Sequence, residues 1–128
     1  MKPIVFLFIL GSIGFSIKTN AQHAINSVHF YDVKNAEMEK SYFASIKEIN
    51  AIIVEIGYPK NYYSCYKLNA SDTTKTYRHC TIGHWNSEQE YKVIHDHPKF
   101  KAWANKNKDI NAVYVSDQLY RKFYLLDK

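Results

Sequence analysis

The stretch that most constrains the fold of this chain runs from Thr76 to Asn107. Its first part, Tyr77 to Trp85, is dense in aromatic and β-favouring residues and therefore predicts a strand. Ser87 and Glu90 then form a capping-box pattern, in which the serine hydroxyl accepts from an early helix N–H and the glutamate reaches back to the cap. The stretch thus predicts a strand that leads directly into a helix beginning at Glu88.

A proline divides this predicted helix into two parts. Pro98 has no backbone N–H and restricts the residue before it, so the first part should end within His95-Asp96-His97. Proline is well tolerated at the first position of a helix, so a second part can begin at Pro98 and carry Phe100 and Trp103. His97 is expected to cap this second part.

The first residues, 1–21, have the features of a signal peptide. Lys2 supplies a positive charge, and Ile4 to Ile17 form an apolar run that is too short and too glycine-interrupted for a membrane span. Thr19-Asn20-Ala21 offers small residues for cleavage, and an uncleaved N-terminal anchor is the alternative. We therefore expect one exported domain, Gln22 to Lys128, in the periplasm or outside the cell.

The charge balance gives little support to nucleic-acid binding. The chain has 17 basic and 12 acidic side chains, and removal of Lys2 and Lys18 with the leader lowers the formal net charge from +5 to +3. This mild excess is spread along the chain without a dense basic block. We expect no nucleic-acid partner and, after cleavage, no membrane partner.

A long amphipathic helix is predicted in the first half of the mature chain. Asn35 is a plausible cap, and the helix should run to about Ile56, because Gly57 and Pro59 follow as stop signals. Its apolar residues recur at three- and four-residue steps and predict a stripe that faces the core. The stripe consists of Met38, Tyr42, Ile46, Ile49, Ile53 and Ile56.

Three further segments predict strands. Asn26 to Val33 alternates in polarity, and Asn61 to Leu68 precedes the polar turn segment Asn69 to Lys75. The last segment, Ala112 to Leu126, is predicted as one long strand with a bulge or break at Ser116-Asp117, or as two short strands.

The two central strands predict an antiparallel hairpin that brings two cysteines together. If the turn is centred in the polar segment between them, Cys65 lies opposite Cys80 and Tyr66 lies opposite His79. Directly opposed residues have Cα separations within the disulfide range, and an exported protein meets an oxidising environment. A Cys65–Cys80 disulfide is therefore expected. Two small buried thiols are the alternative, and a slip of one residue would move His79 to the opposite face.

The order of the predicted elements is β-α-β-β-α-β, which is the ferredoxin-like plan. The fold class is α+β, with a four-stranded antiparallel sheet and both helices on one face. The opposite face of the sheet still carries large residues, which a lone small domain would expose. A homodimer packed sheet to sheet is therefore expected.

Two motifs carry a family resemblance. Gly83-His84-Trp85-Asn86-Ser87-Glu88 followed by Tyr91, and then His97-Pro98-Lys99-Phe100-Lys101-Ala102-Trp103, resemble the dimeric α/β-barrel superfamily and its antibiotic-biosynthesis-monooxygenase-like group. The rest of the mature chain is similar only in element order. The resemblance implies a dimeric α/β barrel and, among known activities, cofactor-independent oxidation of polyaromatic quinols. Haem degradation fits poorly, because Ala104 and Ile94 stand where that type has its essential histidine and tryptophan.

The residues also predict an aromatic pocket with a histidine base. His79, beside Tyr66, has an ordinary pKa close to neutrality and suits proton abstraction from a phenolic or quinol substrate, whose anion would react with oxygen without a cofactor. The alternative is a core histidine hydrogen-bonded to a tyrosine. The predicted substrate-binding residues are His29, Tyr31, Tyr62 and Trp85, and core packing is the alternative role of Trp85.

Three functions remain open at this level. The first is a cofactor-independent monooxygenase for an apolar or aromatic small molecule, and the second is a non-catalytic carrier of such a molecule. The third is a structural or partner-binding dimer in which the 11 tyrosines serve an interface. His95-Asp96-His97 offers two imidazoles and a carboxylate, but this one short loop is not a complete site. The sequence identifies no further ligand elsewhere, so no metal site is predicted.

Overall fold

A four-stranded antiparallel sheet, covered on one face by helices, forms the fold. The computed structural model describes residues 23–115 and 118–126. The predicted signal peptide and the predicted break at Ser116-Asp117 lie outside these residues. None of the helices that the structure describes is both long enough and apolar enough to span a membrane.

The order of the elements confirms the ferredoxin-like prediction. The sheet has the strand order β2-β3-β1-β4, and all three neighbouring pairs are antiparallel. The second helical region is divided into three segments. The elements are β1 (Ile25–Tyr31), α1 (Ala36–Glu55), β2 (Tyr62–Lys67), β3 (His79–Trp85), α2 (Glu88–Asp96), α3 (Pro98–Lys106), α4 (Lys108–Val115) and β4 (Leu119–Tyr124).

Helix α1 forms as predicted from its cap and its stop signals. The Asn35 side chain accepts a hydrogen bond from the Met38 N–H at 2.9 Å, which satisfies one of the free donors at the helix start. Gly57 follows the helix with φ +96°, a left-handed conformation that glycine adopts without strain. The buried residues of the stripe are Tyr42, Ile46, Ile49 and Ile53.

The predicted division of the second helix is also confirmed. Ser87 Oγ accepts from the Glu90 N–H at 3.1 Å at the start of α2. Helix α3 begins at Pro98, and His97 caps it by accepting from the Lys99 N–H at 3.2 Å. The Glu90 carboxylate accepts from the buried Asn61 side chain at 2.7 Å, which ties the start of β2 to α2.

The first part of the predicted strand Ala112 to Leu126 is wrong, because residues up to Val115 belong to helix α4. Its second part is confirmed, because Leu119–Tyr124 forms β4. The two valines of α4 favour a strand locally, but they come at the end of a helix that begins at Lys108. Asn107 accepts from the Asn111 N–H at 2.9 Å, so the hydrogen-bonding pattern continues almost without interruption from α3. Ile110 packs against the core, and this tertiary contact overrides the local β preference.

The predicted hairpin register and disulfide are wrong. The structure pairs Cys65 with Thr81 and Tyr66 with Cys80, one residue away from the predicted register. Side chains alternate across a strand, so the two cysteine side chains point to opposite faces of the sheet. Both cysteines are free thiols.

Tertiary contacts at the base of the hairpin explain the different register. The Asp32 carboxylate accepts from the backbone N–H groups of Tyr77 and Arg78 at 2.9 and 2.8 Å. Tyr77 takes φ 55°, which is uncommon for a residue with a side chain. The connection between β2 and β3 is therefore an irregular loop held by Asp32. Its midpoint does not determine which residues of the two strands pair.

Strand β2 lies at an edge of the sheet and is attached to α1 by one side chain. Asn50 accepts from the Tyr63 N–H at 2.7 Å and donates to the Tyr63 carbonyl at 2.8 Å. These two bonds satisfy backbone groups that point away from β3, as a neighbouring strand would do.

Gly83 lets the Trp85 ring lie flat against the sheet. An ideal Cβ at Gly83 would lie 2.5 Å from Ser27 Oγ and 2.7 Å from a ring carbon of Trp85. The indole N–H of Trp85 donates to Ser27 Oγ at 2.9 Å. The Gly83-His84-Trp85 motif thus allows the large Trp85 ring to be buried in the core.

The sheet face away from the helices, here called the outer face, carries large apolar side chains. Alternation along the paired strands places every second residue on it. Three of its aromatic residues are about half exposed, namely Phe123 at 52%, Tyr66 at 51% and Tyr62 at 47%. The outer face comprises Asn26, Val28, Phe30, Tyr62, Ser64, Tyr66, Cys80, Ile82, His84, Leu119, Arg121 and Phe123.

Candidate functional site

A cavity of about 470 Å³ lies between the sheet and the helices. Its volume falls within the range of about 300–1,000 Å³ that is typical of small-molecule sites. All four strands and all four helices contribute to its wall. It is lined by His29, Tyr42, Ile46, Tyr63, Thr81, Tyr91, His95, Phe100, Trp103, Asn111, Gln118 and Tyr120.

The described part of the cavity lining is largely aromatic, and among the described residues it carries no acidic or basic side chain other than two histidines. Burial lowers the pKa of His95 to about 4 and also lowers the pKa of His29. Burial raises the pKa values of Tyr63 and Tyr120 above their usual range. All four groups are therefore uncharged near neutral pH, and the cavity is neutral.

His95 is held in one tautomer inside the cavity wall. Its Nδ1 donates to the Tyr91 carbonyl at 2.6 Å, since a carbonyl oxygen only accepts. Its Nε2 is then an acceptor and lies 3.1 Å from the Tyr63 hydroxyl, which donates to it. The centroid of the His95 ring also lies 4.0 Å from that of Tyr91 and 4.3 Å from that of Phe100.

His29 is oriented by a residue just before β4. Its Nδ1 lies 2.9 Å from Gln118 Oε1, and an amide oxygen only accepts, so Nδ1 carries the proton. The other ring nitrogen, Nε2, is left as an acceptor. The His29 ring also contacts the Tyr120 ring, with centroids 4.6 Å apart.

Three polar side chains converge on the Thr81 hydroxyl at the back of the cavity. The Tyr42 hydroxyl donates to Thr81 Oγ1 at 2.9 Å, and the Tyr31 hydroxyl lies 2.8 Å from the same atom. Cys65 Sγ lies 3.4 Å from it. Burial raises the pKa values of both the Tyr31 hydroxyl and the Cys65 thiol, so this cluster is neutral as well.

The predicted pairing of His79 with Tyr66 is wrong, because the register differs by one residue. His79 is 6% exposed and faces the helices, while Tyr66 lies on the outer face. His79 Nε2 lies 2.9 Å from the Glu39 carboxylate, and its ring stacks on Tyr31 with centroids 5.6 Å apart. His79 is not among the residues that line the cavity.

The four predicted substrate-binding residues occupy different places. His29 lines the cavity. Tyr31 is buried behind it and reaches it through the hydroxyl of Thr81. Trp85 is 2% exposed and packs behind His95 and Tyr91, which line the cavity. Tyr62 lies on the outer face, stacked on His84 with centroids 4.6 Å apart.

Most of the cavity wall was not predicted from the sequence. Tyr42 and Ile46 belong to the predicted stripe of α1, and Phe100 and Trp103 to the predicted α3, but these patterns indicate core packing without revealing a space beside them. His95 was considered only as a metal ligand or as a partly exposed residue. Its position four residues after Tyr91 on α2 was the available signal, because such residues share one face of a helix.

The described residues offer no ready metal site. Within residues 23–115 and 118–126, no group of three or more His, Cys, Asp or Glu side chains is arranged to hold a metal ion. The His95 side chain lines the cavity, whereas the His97 side chain caps α3, so the two imidazoles do not form one site.

The comparisons with known proteins give matches at the level of structure. No protein-family model matches this sequence, and no curated protein matches it. A dimeric ferredoxin-like protein of unknown function from Thermobifida fusca superposes with a TM-score of 0.59 at 15% identity, over 81% of this chain and 92% of the other.

Two further structures have descriptions that name a family. A DABB family protein with a ferredoxin-like fold from Mesorhizobium loti matches with a TM-score of 0.57 at 16% identity, over 83% of this chain and 100% of the other. A proposed antibiotic biosynthesis monooxygenase from Nitrosomonas europaea matches with a TM-score of 0.55 at 11% identity, over 82% and 92%. This chain therefore has the ferredoxin-like fold that dimeric α/β-barrel proteins share.

Proposed function

We propose that this protein binds an apolar, aromatic small molecule in the cavity between the sheet and the helices. The observation that carries the proposal is the neutral, aromatic lining of a space of about 470 Å³. Such a lining favours flat apolar ligands through stacking and through release of water. A small number of polar groups, including His29, Thr81 and Gln118, would orient the ligand.

A cofactor-independent oxidation is the reaction that this site suits best. His29 is the preferred base because its Nε2 is an acceptor, whereas Nε2 of His95 is occupied by the Tyr63 hydroxyl. The proton of a phenolic or quinol substrate would pass to His29. At a ring carbon that carries hydrogen, the electron-rich anion would react with dioxygen and form a carbon hydroperoxide. Loss of that carbon-bound hydrogen with cleavage of the O–O bond would release one oxygen atom as water and leave the other as the new carbonyl of a quinone.

Non-catalytic binding of the same class of ligand is the second candidate function. It is favoured by the lowered pKa of His29, which burial causes and which makes this histidine a weaker base. A structural or partner-binding dimer is the third candidate, and the half-exposed aromatic residues of the outer face favour it.

Homodimer formation through the outer face is part of the proposal. This face presents exposed Phe123, Tyr62 and Tyr66 beside other apolar residues, and a second copy would cover all of them. The Thermobifida fusca relative is itself described as dimeric. Export rests on the leader pattern of residues 1–21.

A native mass spectrum of the mature protein from an exporting host tests assembly and ligand together. A dimer with additional mass would support the proposal and would identify the ligand class.

Phe123→Asp should convert the dimer into a monomer, because it would bury a charge at the interface. Val54→Asp is the control, since Val54 is 56% exposed on α1. A monomeric native protein would contradict the dimer.

A second experiment tests the cavity directly by titration with 1-naphthol. Ile46→Trp should abolish binding, because the larger side chain fills the cavity, and Val54→Trp on the exposed side of the same helix should leave it unchanged. Circular dichroism would confirm that both variants are folded. Oxygen uptake with 1-naphthol, whose ring carbon para to the hydroxyl carries hydrogen, should disappear in His29→Gln while binding persists. Binding without oxygen uptake by the native protein would favour the second candidate.

A further inference from the structure

Lys122 places a positive charge beside the otherwise neutral cavity. Its Nζ lies 4.1 Å from the centroid of the Tyr91 ring, and Tyr91 lines the cavity. Lys122 follows Tyr120, another lining residue, by two positions in β4, so both side chains project from the same face of the strand. The ammonium group therefore lies on the rim of the site.

No carboxylate in the part of the chain that the structure describes forms an ion pair with Lys122. Among the described residues, ion pairs engage Lys67, Lys99, Lys101 and Lys106, and none engages Lys122. Burial is the main cause of the low pKa of His95, and the charge of Lys122 lowers it further. The positive charge of Lys122 thus acts on His95, a residue of the cavity lining.

We infer that Lys122 selects ligands that carry a carboxylate next to an aromatic body. This inference rests on the proposed function and specifies the ligand class of the same site. An anionic group would be unfavourable deep in the cavity, because no lysine or arginine of residues 23–115 and 118–126 lines it. At the rim, the same group can pair with Lys122 and remain partly hydrated while the ring system occupies the aromatic interior.

Lys122 acts here as a specificity-determining residue. Because it is exposed, water and salt screen its attraction for an anion, and the expected preference is roughly fivefold in affinity. The preference should decrease as ionic strength rises. The aromatic body would supply most of the binding energy in either case.

The test compares 2-naphthol with 6-hydroxy-2-naphthoate, which has the same ring system and hydroxyl and adds a carboxylate at the far end. Dissociation constants measured by calorimetry should favour the naphthoate by roughly fivefold in the native protein. Lys122→Met, which retains an unbranched apolar side chain, should remove this preference and leave 2-naphthol binding unchanged. Lys47→Met removes the same charge from an exposed position on α1 and should retain the preference.

The possible results separate the inference from the proposal on which it rests. If neither compound binds, the proposed function fails. If both bind equally well, or if Lys122→Met weakens both alike, the inference about Lys122 is wrong and the aromatic site remains. An equal loss of preference in Lys47→Met would also overturn the inference, because it would assign the effect to overall charge.

Discussion

Replacement of Gly83 by alanine is the sharpest test of how the core is organised. The added Cβ would lie 2.5 Å from Ser27 Oγ and 2.7 and 2.8 Å from two ring carbons of Trp85. Trp85 is 2% exposed and has T-shaped contacts with Tyr63, Tyr91 and His95. The ring therefore has little room to move without disturbing its neighbours.

The expected loss of stability follows from two contributions. Overpacking a well-packed core typically costs about 1–3 kcal/mol. Displacement of the indole from Ser27 Oγ would leave a buried N–H donor without a partner, at a further cost of about 1–3 kcal/mol. We expect the free energy of unfolding to fall by about 2–6 kcal/mol in total, and Tm by roughly 10–30 °C in a domain of this size.

Thermal and urea unfolding followed by circular dichroism would measure this loss. In a Trp85→Phe background, which removes the part of the ring nearest to the added Cβ, Gly83→Ala should cost at least about 1 kcal/mol less. Gly57→Ala is the control, because its Cβ meets no atom within 4 Å and only its φ of +96° is unfavourable. A Gly83→Ala protein within about 0.5 kcal/mol of the native one would refute the reasoning.

Three further predictions concern the contacts around the site. Asn50→Ala should destabilise the protein by about 1–3 kcal/mol in urea unfolding, because two backbone groups of β2 lose their partner, whereas Asn105→Ala at an exposed position should have little effect. The pKa of His95 is lowered from 6.5 to about 4, so the unfolded chain binds the proton first as pH falls. The free energy of unfolding should therefore decrease between pH 6.5 and 4, by at most about 3 kcal/mol, and His95→Gln should remove this part of the pH dependence. Thiol titration of the denatured protein under non-reducing conditions should detect both Cys65 and Cys80, and a result of no free thiol would contradict the observed register.

Local signals in the sequence were sufficient for the element order and for most boundaries. The caps at Asn35, Ser87 and His97 act through hydrogen bonds to residues only two or three positions away, so the local sequence contains both partners. The apolar stripe of α1 is equally local, because its period belongs to one helix. These features led to the correct α+β plan.

The errors arose where distant residues decide the outcome. Asp32, which directly follows β1, holds the loop before β3 and is more than forty residues away from it in sequence. The hairpin is shifted by one residue, which separates Cys65 from Cys80 and His79 from Tyr66. The helical course of α4 similarly depends on packing of Ile110 against the core, although its valines favour a strand.

The sequence by itself determined the order and the amphipathic character of the elements, because the interactions responsible lie within a few residues of one another. Only the tertiary structure decided where the cavity lies, since its wall draws on all four strands and all four helices. It also decided which histidines line that cavity, namely His29 and His95. A single-residue change of register reverses the direction of a side chain, and long-range hydrogen bonds and packing set that register.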